Sequence, residues 1–220
     1  MRINRYVALA TGMSRRAADK AIIDNRVAID GKRAEAGSTV IASQIVTLDN
    51  RVITPPVSTT TILLHKPKGY VCSRNGQGSK TIYDLLPKEL HDLKPVGRLD
   101  KDSSGLLLLT NDGDLAHELT HPSRKKVKVY EIMLDKPLQP LHRQMIQDFG
   151  VQLDDGSSRF SVERIDEGSE KKWRITMHEG RNRQIRRTFA ALGYTVIALH
   201  RTQFGNFLLN QLEAATYRTA

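Results

Sequence analysis

Cysteine and long apolar runs are scarce in this sequence of 220 residues. Cys72 is its single cysteine, so no disulfide can form within the chain, and a reducing compartment is expected. No apolar run reaches the roughly 20 residues that a membrane-spanning helix needs. Arginines interrupt the apolar residues of the first 13 positions, which is not the pattern of a signal peptide. The composition therefore predicts a cytoplasmic protein with no membrane partner.

Acidic residues are also the minority, with 24 against 34 lysines and arginines, which gives a formal net charge of +10. Such an excess is typical of proteins that bind polyanions, because cations that neutralise phosphates release condensed counterions. Residues 1–53 hold nine basic and five acidic side chains, and the remainder holds 25 and 19, so both parts are basic. Nucleic acid is the expected partner. Composition alone leaves open a basic surface that only keeps the protein soluble.

The pattern of apolar residues divides the chain at a short uncharged segment. Residues 1–53 predict two amphipathic helices, the second capped by Ser14, and then a hairpin at residues 30–31 and one further strand. TPPVSTT, at 54–60, has neither charge nor periodicity and is interpreted as a linker. From 61 to 220, strand patterns with interspersed helices and no strict alternation predict an α+β domain on a mainly antiparallel sheet.

Three clusters of basic residues are candidates for phosphate contacts. The second predicted helix carries one on its exposed face, made of Arg15, Arg16 and Lys20. A predicted strand carries another, in which three side chains alternate onto one face: Lys126, Lys128 and Tyr130. The third surrounds the start of a predicted helix near residue 182 and contains Arg181, Arg183, Arg186 and Arg187. Any one of them could be a plain solvated face, but three clusters with an interleaved tyrosine favour RNA.

Asp100 lies beside Arg98 in a turn before Leu106 to Leu109, a run with the length and apolarity of a strand buried on both faces. An isolated aspartate in such a turn is usually structural, capping the turn or pairing with the arginine. The sequence offers no acid-base pair, no Ser-His-Asp set and no phosphate-binding glycine loop. One carboxylate kept ionised by an arginine is suited instead to covalent attack on a nucleotide held by its phosphates.

The segment HELTH, at 117–121, fits the H-E-x-x-H pattern and defines a competing hypothesis, a zinc hydrolase with both histidines as ligands and the glutamate as base. Pro122 predicts that the helix ends at the second histidine. Arg124 stands where a longer form of the pattern has glycine, and no obvious third ligand follows, although Glu131 could be argued. We therefore predict no metal site.

Four segments in order resemble the motifs of a known family: HKPKGY (65–70), VGRLDKDSSGLLLLTNDG (96–113), KVYEI (128–132) and EGRNRQIRR (179–187). They are similar to the motifs of pseudouridine synthases, most closely to the RsuA/RluB/RluE/RluF branch, which modifies ribosomal RNA. Residues 1–53 resemble the small RNA-binding module named after ribosomal protein S-four, which often precedes this catalytic domain. The resemblance covers nearly the whole chain, and the intact GRLD makes it specific.

The resemblance implies an isomerase that converts uridine to pseudouridine in ribosomal RNA, without metal or cofactor. Asp100 would be the catalytic aspartate, which lets the base leave its N-glycosidic bond, turn over and reattach through carbon. Tyr130 would lie against the target base, Arg186 would pair with the catalytic aspartate, and Arg98 would help to hold the RNA around the flipped nucleotide. Flipping the nucleotide out of its stack costs roughly a few kcal/mol, and phosphate contacts can offset this cost.

Two residues depart from the pattern of relatives, His65 and Arg183, and neither is expected to touch Asp100. We expect a monomer that acts on ribosomal RNA or on an assembling subunit, with the large-subunit 23S RNA slightly favoured over the small-subunit 16S RNA. Whether Asp100 attacks the base or the sugar is left open. The competing hypothesis from the binding class is an assembly factor that binds ribosomal RNA without catalysis.

Overall fold

The computed structural model describes residues 1–56 and 58–220, and the chain divides into two compact units, Met1–Thr59 and Thr60–Ala220. The division falls within the segment that the sequence predicts as a linker. Val57, in that predicted linker, lies outside the described residues. In the part of the chain that is described, no helix is both long enough and apolar enough to cross a membrane.

The first unit begins with two helices, α1 (Ile3–Thr11) and α2 (Arg15–Ile23). The side chain of Ser14 accepts a hydrogen bond from the backbone N–H of Ala17 at 3.1 Å, which confirms the predicted cap. Ala17 itself is exposed. The face of α2 that packs into the core consists of Ala18, Ala21 and Ile22.

A four-stranded antiparallel sheet completes the first unit. Its strands are β1 (Val27–Ile29), β2 (Lys32–Arg33), β3 (Val46–Leu48) and β4 (Arg51–Val52), and their order is β2-β1-β3-β4. Asp30 and Gly31 join β1 to β2 with φ angles of 49° and 77°, the left-handed conformation that a tight two-residue hairpin requires. The hairpin predicted from these two residues is therefore confirmed.

The second unit contains eleven strands in its described residues. They are β5 (Thr61–Lys66), β6 (Lys94–Pro95), β7 (Ser104–Thr110), β8 (Lys128–Leu134), β9 (Val151–Leu153), β10 (Gly156–Ser158), β11 (Ser161–Arg164), β12 (Lys172–Met177), β13 (Val196–Phe204), β14 (Phe207–Leu208) and β15 (Tyr217–Thr219). Nine of them form one sheet with the path β11-β12-β8-β13-β7-β5-β15, on which β14 pairs with β13 and β6 with β7. The β13–β7 pair is parallel and the other pairs are antiparallel, so the predicted α+β class is confirmed.

The helices of this unit are short. They are α3 (Gly113–Thr120), α4 (Pro140–Gln144), which continues as a π-helix over Met145–Phe149, and α5 (Gln184–Ala191). Single 3-10 turns cover Ile82–Leu85, Lys88–Leu90 and Pro122–Arg124. Strands β9 and β10 form a separate hairpin, which we call the acidic hairpin because Asp154 and Asp155 are at its tip.

Strand β7 lies between the two hydrophobic cores of the second unit. Its four leucines, Leu106 to Leu109, are all completely buried, as their unbroken run predicts. Leu107 and Leu109 pack into the larger core, which also contains Tyr130, whereas Leu106 and Leu108 pack into a smaller core. A strand with apolar layers on both faces holds the turn that precedes it in a fixed position, and that turn carries Asp100.

Candidate active site

Lys66 fixes the turn that carries Asp100. It is the last residue of β5 and is completely buried, and its ammonium group donates hydrogen bonds to three backbone carbonyls. These are the carbonyls of Pro67 at 3.1 Å, Asp100 at 3.0 Å and Ser103 at 2.7 Å. Burial lowers the pKa of Lys66 below its usual value. The contacts hold both ends of the turn from Asp100 to Ser103 in place.

Gly105 brings this turn directly against β13. Its φ of 107° is in the left-handed region, and a Cβ atom there would lie 2.2 Å from the carbonyl oxygen of Arg201. No other residue fits, because only glycine allows both this backbone conformation and this approach. Arg201 pairs with Gly105 on one side and with Tyr130 on the other. The catalytic turn predicted from GRLD and the predicted tyrosine are therefore neighbours across β13.

A cavity of about 480 Å³ opens between the turn, β8, β13 and the start of α5. Eight residues predicted for the site line it: Arg98, Asp100, Lys126, Lys128, Tyr130, Arg181, Arg183 and Arg186. This volume is in the range of small-molecule sites and accommodates one flipped nucleoside. The side chain of Asp100 is 35% exposed and that of Tyr130 is buried in the floor, so a ligand in the cavity reaches both.

The arginine that contacts Asp100 is Arg183. Its Nη1 atom lies 3.1 Å from Oδ2 of Asp100 and 3.3 Å from Oδ1 of Asp102. Arg186 instead contacts Asp102, with Nη2 3.2 Å from the carboxylate and 3.2 Å from the backbone carbonyl, while its Nη1 donates to the carbonyl of Val196 at 2.6 Å.

Two expectations about these arginines were wrong. The sequence assigned the contact with Asp100 to Arg186 and predicted that Arg183 would not touch it. Helix α5 begins at Gln184, so Arg183 occupies the N-cap position, with a left-handed φ of 45° that directs it to the turn. Arg186 is nearly one helical turn further along, where it reaches Asp102 but not Asp100.

Asp102 was not predicted as a site residue, and its carboxylate contacts both Arg183 and Arg186. Partial burial would raise the pKa of its carboxyl, but the hydrogen bond from Arg183 and the charge of Arg186 outweigh it, so the pKa is lowered. The hydrogen bond with Asp102 in turn raises the pKa of Arg183. The carboxylate thus contacts both arginines and keeps their side chains beside the turn of Asp100.

Arg181 and Arg187, predicted to bind RNA, are engaged by the acidic hairpin. Arg181 donates to the carboxylate of Asp155 at 2.8 Å and to the carbonyls of Asp155, Gly156 and Ser157 at 2.8 to 3.0 Å. Arg187 is bonded to the carboxylate of Asp154 and, at 2.6 Å, to that of Asp155. Both arginines therefore support the acidic hairpin, and the assignment of their side chains to RNA stays a prediction.

The other basic residues that were predicted to bind RNA differ in their exposure and in whether they form ion pairs. Arg98 is exposed at the cavity and has no hydrogen bond or ion pair among the described residues. Lys126, predicted to lie on a strand, precedes β8 and is ion-paired with Glu118 at 2.7 Å. Lys128 is half-buried, and burial lowers its pKa. In the first unit, the side chains of α2 that were predicted to bind RNA are exposed: Arg15, Arg16 and Lys20.

The helix that contains the HELTH segment ends just before Pro122, as this proline predicts. Helix α3 stops at Thr120, and His121 has an extended backbone, with φ −68° and ψ 128°. Lys126 engages Glu118, the base of the zinc hypothesis, and Glu131, its conceivable third ligand, faces Arg174 at 3.9 Å. Among residues 1–56 and 58–220, no group of three or more His, Cys, Asp and Glu side chains is arranged to hold a metal ion.

Three residues of the site escaped the sequence analysis: Lys66, Asp102 and Arg201. Lys66 stands in the HKPKGY segment, where a lysine that ends an apolar strand was a usable signal. Asp102 is two residues from Asp100 and was available as a second carboxylate. Arg201 is a completely buried strand residue that lines the cavity, and the pattern of β13 gives no sign of it.

Comparison with known proteins agrees with this geometry. Residues 60–191 match the family described as RNA pseudouridylate synthase. The chain is also 34% identical to the ribosomal small subunit pseudouridine synthase A of Yersinia pestis, over 99% of this chain and 94% of that protein. The chain belongs to the pseudouridine synthase family. This synthase is also 35% identical to the ribosomal large subunit pseudouridine synthase B of Escherichia coli (strain K12), over 94% of this chain and 75% of that protein.

A solved structure described as a pseudouridylate synthase superimposes on this synthase with a TM-score of 0.71. The two are 31% identical, and the match covers all of this chain and 96% of the other. The family resemblance seen in the four motifs is therefore confirmed, and it favours an isomerase over a zinc hydrolase. The family match begins at residue 60, so the likeness of residues 1–53 to the S-four module stays a prediction.

Proposed function

We propose that this synthase converts a uridine of ribosomal RNA to pseudouridine with Asp100 as the catalytic carboxylate. The observation that carries the proposal is the placement of Asp100, on a turn clamped by Lys66 and at hydrogen-bond distance from the guanidinium of Arg183. Glu179 also lines the cavity, but it accepts a hydrogen bond from Gln184. Asp100 is thus the carboxylate best placed to act on a nucleotide in the cavity.

The other residues divide the work of binding and orientation. Tyr130 forms part of the cavity floor, where its ring offers a flat surface for the flipped base. Arg183 orients the carboxylate of Asp100 through its hydrogen bond, and Arg186 supports this arrangement through Asp102. Arg98, free at the cavity wall, contacts a phosphate next to the flipped nucleotide. The exposed basic face of α2 binds RNA outside the active site and supplies affinity.

Ribosomal RNA is proposed as the substrate because of the names of the relatives. A small-subunit enzyme and a large-subunit enzyme are about equally similar to this chain, at 34% and 35% identity. The slight preference for 23S RNA drawn from the sequence therefore has no support over 16S RNA. We propose one uridine in one of the two RNAs as the target, and action as a monomer stays a prediction.

The decisive experiment compares the wild-type protein with Asp100→Asn on unmodified transcripts of 16S and 23S RNA. We expect the wild type to form pseudouridine at one position of one transcript. The variant should form none, yet bind that transcript within about threefold of the wild-type affinity, because its phosphate contacts are unchanged. Asp148→Asn, at an exposed aspartate of the π-helix, is the matched control and should stay active.

Two results would contradict the proposal. Substantial turnover by Asp100→Asn would remove the aspartate from its role. Tight and specific binding by the wild type, with no pseudouridine formed in either RNA or in assembling subunits, would favour the non-catalytic assembly factor instead.

A further inference from the structure

Arg201 is a buried cation at the cavity that the mechanism so far does not use. Its side chain is 2% exposed, and its Nε atom donates to the carbonyl of Leu106 at 2.8 Å. Its Nη2 atom is buried and has no hydrogen-bond partner among the described residues. The guanidinium carbon lies 4.9 Å from the centre of the Phe204 ring, and both residues line the cavity.

This guanidinium has no anionic partner in the described part of the chain. No carboxylate there lies within 4 Å of it, and the same holds for Lys128, whose ammonium group is 5.2 Å from the same Phe204 ring. Burial and the neighbouring charge of Arg201 lower the pKa of Lys128, while Glu179 acts in the opposite direction without reaching ion-pair distance. An unpaired buried charge is costly, so Arg201, with the half-buried Lys128 at the same wall, which is also unpaired among residues 1–56 and 58–220, needs a compensating anion.

The position of Arg201 indicates which part of the substrate it meets. It is the direct strand partner of Tyr130, so the Cβ atoms of the two residues are about 5 Å apart on one face of the sheet. Lys128 is two residues before Tyr130 and therefore points to the same face. If the uracil ring lies on Tyr130, the edge of the ring faces Arg201 and Lys128. The turn of Asp100 is then on the other side of β13.

On the basis of the proposed function, we propose that Arg201, with Lys128, stabilises the negative charge that develops on uracil when its glycosidic bond breaks. The bond between ribose C1′ and uracil N1 breaks with its electron pair left on the ring, which spreads the charge to the carbonyl oxygens. The Asp100 carboxylate bonds to C1′ in its place. After the ring turns, C5 attacks C1′ and expels the carboxylate, and the proton on C5 is replaced by one on N1.

Burial favours this role over binding a backbone phosphate. A phosphate keeps its full charge before, during and after the reaction and stays linked to the RNA chain, which the exposed Arg98 can meet at the cavity wall. The uracil ring is small, flat and detached in the intermediate, and it carries its charge only then. A preorganised cation in a dry site acts mainly on charge that develops in the transition state, because it needs no reorganisation at that moment.

The test compares two substrates whose detached rings differ in how well they carry negative charge. Arg201→Met and wild type are compared in single turnovers at saturating RNA, on transcripts that contain either uridine or 5-fluorouridine at the target. Fluorine stabilises the detached ring anion by itself, so that substrate depends less on the protein cation. We expect Arg201→Met to lower the rate of glycosidic-bond cleavage about 100-fold or more with uridine and several-fold less with 5-fluorouridine, at an RNA affinity within about threefold.

Two variants control for structure. Arg174→Met makes the same change at an exposed arginine of β12 that faces Glu131 on the opposite side of the sheet, and it should keep both rates. Arg201→Lys keeps a cation and should recover part of the loss with uridine. If Arg201→Met does not fold, Lys128→Met is tested in its place. It should also lower the cleavage rate more with uridine than with 5-fluorouridine, but by a smaller factor than Arg201→Met.

Equal losses on the two substrates would overturn the inference, and so would a weaker RNA affinity with an unchanged saturating rate, which is the pattern of a phosphate contact. The proposed function fails separately, when the wild type converts no uridine in ribosomal RNA. In that case the comparison is made on the RNA that the wild type does modify, and the same two patterns decide the role of Arg201.

Discussion

Basic residues are exposed in one region of this synthase and paired with carboxylates in another. On α2 of the first unit, Arg15, Arg16 and Lys20 are exposed and form no ion pair among the described residues. Around the start of α5, the four arginines of EGRNRQIRR all contact carboxylates. The two regions look alike in the sequence. Only the first has charges that are free for phosphate, whereas the second uses its charges to hold the protein together around the cavity.

The arginines around α5 also differ among themselves. Arg183 and Arg186 contact the turn of Asp100 and Asp102, while Arg181 and Arg187 hold the acidic hairpin. This division follows the geometry of the helix, since residues 183 and 186 are three apart and lie on neighbouring parts of its surface. One pair therefore shapes the proposed catalytic centre, and the other fixes the hairpin against the same helix.

The largest expected effect separates these two pairs. Arg183→Met should lower the saturating single-turnover rate by about 100- to 1000-fold, because Asp100 loses its charged partner. Arg187→Met should change that rate by less than about threefold, since the hydrogen bonds of its side chain within residues 1–56 and 58–220 go only to the hairpin and to the carbonyl of Asn182. Rates are measured as pseudouridine formed at saturating RNA. Similar losses in both variants would show that α5 acts as a unit and that the division is wrong.

The same arginines mark the limit of what the sequence could predict. The motifs located the turn of Asp100, the buried strand after it and the tyrosine of the cavity, because local patterns determine all three. They could not tell Arg183 from Arg186, because that depends on a helix starting at Gln184 and on the left-handed backbone of Arg183. Local sequence likewise gave no sign that a carboxylate about 30 residues away would engage Arg187.

Buried polar residues were the other class that sequence patterns missed. Lys66 is paired with carbonyls contributed by a turn more than 30 residues away, and Arg201 with the carbonyl of Leu106, 95 residues away. Charged residues are mostly exposed, so a lysine or arginine in a strand pattern is ordinarily assigned to the solvent face. These contacts exist only once the sheet has formed.

A smaller effect tests the free charges of α2. A triple variant, Arg15→Gln, Arg16→Gln and Lys20→Gln, should bind RNA about 10- to 100-fold more weakly at low salt. The slope of log affinity against log salt should fall by about 2 to 3, because up to three fewer counterions are released. The saturating rate should be unchanged. Binding is measured at two or more salt concentrations.

The control for this variant is Lys32→Gln with Arg33→Gln, an exposed basic pair on β2 of the same unit. The control should lose less affinity than the triple variant. Equal losses would mean that the whole unit acts as a diffuse positive surface, and a loss of saturating rate in the triple variant would mean that α2 takes part in shaping the active site.

A still smaller effect concerns the acidic hairpin. Arg181→Met should lower the free energy of unfolding by about 1 to 3 kcal/mol, because the hairpin loses an ion pair and three carbonyls lose a charged donor. Arg98→Met, at an exposed arginine without such partners, should stay within about 0.5 kcal/mol of wild type. Urea unfolding measures both. A stable Arg181→Met protein that binds RNA poorly would support Arg181 as an RNA-binding residue and contradict its role in the hairpin.

The smallest effect expected is the pH dependence of Asp102→Asn. Arg183 and Arg186 outweigh partial burial and lower the pKa of the Asp102 carboxyl in the folded protein. A folded-state pKa below the unfolded one means that the stabilisation is complete above about pH 4, the ordinary value for aspartate, and is lost as the pH falls through the folded pKa. Because the side chain is 50% exposed, the effect at pH 7 should be about 1 kcal/mol or less. The difference in unfolding free energy between wild type and variant should therefore be smaller at pH 3 than at pH 7, with Asp148→Asn as the control that shows no difference at either pH. A deficit of the same size at both pH values would mean that Asp102 acts through its shape and hydrogen bonds, and that its charge does not hold the two arginines.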